Sequence, residues 1–130
     1  MAAICDEVAN GKLSEPLLTQ DPALEESPFA KSSIIDFTNN IRGVENVYLG
    51  RYTADGTGLE DLVRKYDLQL DGRIKQHIAS AINALGTITV PLGAAITTQQ
   101  AQVHDAITSI DALASVLEDE LLPFVQQHTN

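Results

Sequence analysis

The chain has 130 residues, a mass of 14.0 kDa, 44% apolar residues and a net charge of −10. That length fits one domain, and the apolar content is too high for a disordered tail. The carboxylate excess argues against nucleic acid or anionic lipid as the main partner, no apolar run approaches the roughly 18 residues of a membrane span, and a single cysteine, Cys5, excludes an internal disulfide and a multi-cysteine zinc site.

The charge is unevenly placed. Residues 1–30 carry six acidic side chains against Lys12 alone, residues 31–75 carry seven of each sign, and residues 76–130 carry five acids with no Lys or Arg. Such a low-lysine surface fits either an extracytoplasmic protein or simple compositional drift. Asp6 and Glu7 follow Met1-Ala2-Ala3 too closely for a secretory signal. The expectation is therefore a cytoplasmic chain, or a mature or excised piece of an exported one.

In chain order, residues 2–10 predict a short helix stopped by Asn10-Gly11. Residues 11–31, with Pro16, Pro22 and Pro28, predict an extended, linker-like segment. The first strong helix is expected from Ser33 to Leu49: Ile34, Phe37, Ile41, Val44 and Tyr48 are spaced 3, 4, 3, 4 and form one apolar stripe. Ser33 and Asp36 make a near capping box at its start, and Gly50 ends it. Asp36, Asn40 and Gly43 lie together on one shoulder of the stripe. A mid-helix glycine beside two polar groups predicts either the close approach of another backbone or a tolerated, solvated glycine.

Residues 51–58 are a turn-rich loop in which Asp55-Gly56 marks a tight turn. Gly56-Thr57-Gly58 lacks the strand, the remaining glycine and the Lys-Ser/Thr of a phosphate cradle. A short helix follows over 59–66. A second long helix is expected over 70–85, with Leu70, Ile74, Ile78, Ala81, Ile82 and Leu85 as its stripe and Gly86 as its end. Residues 87–90 read as extended linker, and Pro91 opens a helical turn through Ile96. The last helix is expected over 98–122, on a seam of Val103, Ile107, Ile110, Ala114, Leu117 and Leu121, with Pro123 kinking or ending it. Glu118 to Glu120 crowd that end, predicting a solvated acidic turn or a nearby positive group. The fold class is all-α, an up-and-down bundle of three long helices and two or three short ones.

No catalytic or metal-ligating set is visible. His77, His104 and His128 form no helical metal pair, His77 reads as a boundary residue, and Cys5 has no fixed histidine partner. Tyr48 reads as core. Tyr52, beside Arg51 in the loop, is the better candidate for stacking on a carbohydrate or siderophore.

One block carries a resemblance. Leu24-Glu25-Glu26-Ser27-Pro28-Phe29, Asp36-Phe37-Thr38-Asn39-Asn40-Ile41, Val44 to Tyr52 and Gly58 to Val63 resemble the later part of imelysin-family proteins. These are bacterial iron-regulated proteins also catalogued as insulin-cleaving metallopeptidases. Ile4 to Lys12 is similar to the segment before that block, and Leu121 to Val125 to the family's C-terminal end. Family members are two to three times longer and carry an export signal and a Gly-x-His-x-x-Glu motif. His77 has no glycine two before it and no glutamate three after it, so the family's metal-binding pair transfers to no residue here.

The resemblance implies that residues 1–130 are one helical domain, equivalent to the C-terminal bundle of an imelysin-like protein. It implies a role in iron acquisition that is non-catalytic in this chain alone, with periplasmic or outer-membrane localisation. Iron or another divalent cation is then the candidate ligand of the full-length parent. Asp36, Asn40 and Gly43 would face the missing N-terminal bundle across a shared cleft. The alternatives are a metallopeptidase fragment and a helical interaction module that homodimerises through its orphaned face.

Overall fold

The computed structural model describes residues 1–129. Apolar residues at helical spacing build three long rods: α3 (Ser33–Leu49), α5 (Leu68–Gly86) and α7 (Gln100–Val116). α4 (Leu59–Tyr66) and α6 (Leu92–Thr98) are the short connectors between them. α5 lies between α3 and α7 and packs on both. No strand occurs among the described residues, and 87–91 is an extended connection as expected. A side-chain clip holds it: Thr89 N–H donates to Gln99 Oε1 at 2.9 Å, and Gln99 Nε2 donates to Thr89 Oγ1 at 2.8 Å.

The N-terminal region departs from expectation. α1 (Ala2–Asp6) does not stop at Asn10-Gly11 but continues through a π-helical stretch, Glu7–Leu13, into α2 (Ser14–Thr19). The segment expected to be a linker from residue 11 is therefore helical to residue 19, and Gln20 ends the rod with a left-handed φ of 55°. Cys5, Val8, Ala9, Leu13 and Leu17 are buried along it, so this fourth rod completes the core by packing on α7 and α3.

The wide turn has a physical cause in Pro16. A proline ring inside a helix lacks the amide hydrogen and collides with the carbonyl four residues earlier. The π stretch widens the turn just before it. The serine ahead of the proline also helps, since Ser14 Oγ donates to the Ala9 carbonyl at 2.8 Å. The same device recurs at the other end of the chain. α7 passes into a π stretch, Leu117–Leu121, and then into α8 (Leu122–His128), with Pro123 in its first turn. Pro123 thus widens the helix instead of ending it.

Packing follows most of the expected stripes. Phe37, Ile41, Val44 and Tyr48 of α3 are fully buried, as are Ile74, Ala81 and Leu85 of α5. On α7 the buried line is Val103, Ala106, Ile110, Leu113 and Val116, while Ile107 and Ala114 sit half-buried at its edge. Glu118 to Glu120 are not at a helix end, and the positive neighbour is Arg73 of α5, whose Nη2 lies 2.5 Å from Glu120 Oε2.

The start of α3 is tied to the preceding block. Ser32, rather than Ser33, is the cap. Ser33 is buried in the first turn: its hydroxyl accepts from Ser27 N–H at 3.0 Å and donates to the buried Glu25 carboxylate at 2.9 Å. Asp36 Oδ2 accepts from the Ser27 and Ser32 hydroxyls at 2.8 and 3.1 Å.

Candidate functional site

Three features carry polar chemistry or open surface. The first lies where α3 hands over to α4. Gly50 takes φ +70°, and Arg51 N–H closes on the Asn46 carbonyl at 2.8 Å. The chain then loops out and returns so that Gly50 and Gly58 lie backbone against backbone. A Cβ on Gly50 would sit 2.5 Å from Gly58 N, and one on Gly58 would meet Gly50 N and the Tyr48 carbonyl. Both glycines are required by this crossing, so the loop has a closed neck. At the neck Asp61 caps α4, its Oδ2 accepting from Gly58 N–H at 2.9 Å.

Beneath the neck a polar chain runs from the core out to the surface. Tyr48 OH donates to Asp71 Oδ1 at 2.9 Å, Asp71 Oδ2 pairs with Lys75 at 3.0 Å, Lys75 also pairs with Glu60, and Glu60 pairs with Arg64 at 3.2 Å. Burial pushes the Tyr48 hydroxyl far up, and its bond to the Asp71 carboxylate adds to this. Contact with Lys75 pulls Glu60 down. At Lys75, burial works against the charge, but the bonds to Glu60 and Asp71 prevail and raise it. The chain ties α3, α4 and α5 together and is fully engaged. No polar side-chain atom buried among the described residues lacks a hydrogen-bond partner.

The third feature is an open groove of about 850 Å³ between α1 and the C-terminal helices. Its floor is apolar, formed by Leu117, Leu121, Leu122 and Val125, with Leu59 and Met1 beside them. Asp6, Asp111 and Glu118 also line it. Asn10 bridges two of these acids, its Nδ2 donating to Asp6 Oδ1 at 2.8 Å and to Asp111 Oδ1 at 2.9 Å. The π stretch of residues 117–121 and α8 after it supply the floor, and the π stretch of residues 7–13 carries Asn10. The sequence signal for this groove is the i, i+4 series Leu117, Leu121, Val125 running past Pro123, where a kink or a helix end was expected.

The residues singled out from sequence are not brought together. Asp36 is occupied by the two serine hydroxyls. Asn40 is half-buried, and Gly43 is exposed, with nothing in this chain within 4 Å of where its Cβ would stand. The close backbone approach expected at Gly43 therefore does not occur within this chain. Arg51 and Tyr52 lie beyond the far end of α3, about 20 Å along the axis from Asp36 at 1.5 Å per residue. Arg51 pairs with Asp55 at 3.3 Å, and Tyr52 is 80% exposed. Cys5 is buried, which pushes its thiol up to about 11.

Comparison with known proteins decides the family. The imelysin profile matches residues 1–119. The chain belongs to the imelysin family. It is similar to iron-regulated protein A of Synechococcus elongatus, at 33% identity over 125 residues, covering 92% of this chain and 35% of that protein. Its fold is that of two solved imelysin-like structures. One is an imelysin peptidase from Bacteroides ovatus (TM-score 0.84, 23% identity, 98% of this chain and 38% of that one). The other, from Parabacteroides distasonis, is described as an iron-regulated protein A precursor (TM-score 0.86, 21% identity, 100% and 39%). The chain thus spans about a third of the length of the imelysin relatives it matches. Among the described residues no three His, Cys, Asp or Glu side chains are grouped to hold a metal ion. The donors among these residues do not fit a metal centre. No helix among them is long and apolar enough to cross a membrane.

Proposed function

We propose that this chain is one helical half of an imelysin-type protein acting in bacterial iron acquisition, and that it is non-catalytic on its own. The supporting observation is an imelysin match running through residues 1–119 of a chain that spans only about a third of its relatives' length. An apolar groove floored by Leu117, Leu121, Leu122 and Val125 offers a companion bundle somewhere to pack. On this reading the ligand site, for iron or another divalent cation, is assembled between this bundle and a companion. The shoulder of half-buried Asn40 and exposed Gly43, and the Arg51–Tyr52 loop, are the polar surfaces on offer to it. The reading also places the parent protein in the periplasm or at the outer membrane, in keeping with the low-lysine acidic surface.

Iron titration of the purified chain is the test. The expected result is no high-affinity binding of ferrous or ferric iron by this chain alone, and no metal-dependent cleavage of peptide substrates. Tight, stoichiometric iron binding by the isolated chain would show that the site does not need a second half.

A further inference from the structure

The groove between α1 and the C-terminal helices has a charge pattern that selects its occupant. It is built almost wholly from the two chain segments that are poor in base, residues 1–30 and 76–130. Asp6, Asp111 and Glu118 line the apolar floor, and none of them forms an ion pair among the described residues. Lys12 is engaged with Glu7 and Glu26, Arg73 with Glu120, and Lys75 with Glu60 and Asp71. A groove of this size with a greasy floor accepts the side chains of one helix face.

Resting on the half-domain reading, we propose that this groove seats a cationic amphipathic helix of the companion bundle, with an apolar stripe on the floor and Lys or Arg flanks against Asp6, Asp111 and Glu118. A second copy of this chain is the wrong occupant. It would set the same three carboxylates against their equals, and like-charge juxtaposition disfavours a partner. Shape complementarity alone would admit many helices. The carboxylate rim adds discrimination by charge, and it makes association sensitive to salt.

The test uses the full chain and two synthetic helical peptides of about 18 residues, long enough to hold helix. Both carry leucines on one face, flanked by lysines in one peptide and by glutamates in the other. Fluorescence anisotropy is expected to show the lysine peptide binding about tenfold tighter or more, the scale of two or three partly exposed ion pairs. The preference should collapse in high salt. Glu118→Lys should weaken the lysine peptide and strengthen the glutamate peptide. Leu122→Asp should weaken both. Both positions are exposed, so helix content by circular dichroism should stay unchanged.

Equal binding of the two peptides, or an amide-exchange footprint away from residues 111–125, overturns the proposal. So does a homodimer in sedimentation that Leu122→Asp dissolves. These failures leave the iron titration untouched. Tight iron binding by this chain would instead defeat the half-domain reading without altering the peptide result.

Discussion

Gly43, Gly50 and Gly58 lie on or next to one stretch of chain but differ in what a methyl group would meet. At Gly43 a methyl group meets nothing, so Gly43→Ala should gain about 1 kcal/mol through helix propensity alone. At Gly58 the same change drives a Cβ into the Gly50 and Tyr48 backbone, and a loss of about 1–3 kcal/mol is expected. Urea midpoints of the two variants check both signs, and a destabilised Gly43→Ala would expose an unseen contact. Tyr48 is the other residue whose single atom matters. Tyr48→Phe keeps the packing but removes the donor to the buried Asp71 carboxylate, which should cost about 2 kcal/mol. Cys5 should resist a soluble disulfide reagent at pH 8 until the chain unfolds. Burial raises its thiol from 9.0 to about 11, so stability from the neutral thiol is complete below pH 9 and is lost as pH climbs toward 11.

Between elements, α4 is held to α5 by charge as much as by grease, since Val63 is its only buried residue. Glu60 pairs with Lys75 of α5 and with Arg64 of its own helix, and its carboxyl is held below the usual 4.5. The sign follows from that depression. The contribution is present above the unfolded value near 4.5 and is lost as pH falls through the lower folded one. Wild type and Glu60→Gln should therefore differ in denaturant midpoint at pH 7 and converge toward pH 3. A gap that persists at pH 3 would assign the effect to packing instead. The two π stretches also belong to this scale. Each stands just ahead of a proline, Pro16 or Pro123, and each lets a rod continue where a straight α-helix would break.

For the whole molecule, the dominant electrostatic fact is self-repulsion. Two acidic segments, residues 1–30 and 76–130, pack against each other through α1, its π stretch and α7. Asn10 supplies a neutral bridge between Asp6 and Asp111, where a cation would ordinarily be expected. Added salt should therefore raise the thermal midpoint of this chain by a few degrees, by screening its net charge of −10. Thermal melts at 0.02 and 0.3 M sodium chloride test this, and a fall in midpoint would mean that the surface ion pairs outweigh the repulsion.

Periodicity alone determined the all-α class and the limits of α3. The 3, 4, 3, 4 stripe of α3 and the glycine after it are local properties, and α3 begins and ends where they say. The family was legible in the Asn46–Tyr52 and Gly58–Val63 block, and the closed neck at Gly50 and Gly58 gives that block a structural reason. Tertiary structure decided the rest. Asn10-Gly11 and Pro16 carry local signals for a stop, but burying Val8, Leu13 and Leu17 against α7 outweighs them, and the wide turn removes the clash that made the proline a breaker. Pro123 tells the same story, and with it the groove, whose floor and rim come from segments a hundred residues apart. A local motif records what one segment prefers; a cleft records which segments meet, and that is settled only when distant apolar faces compete for the same core.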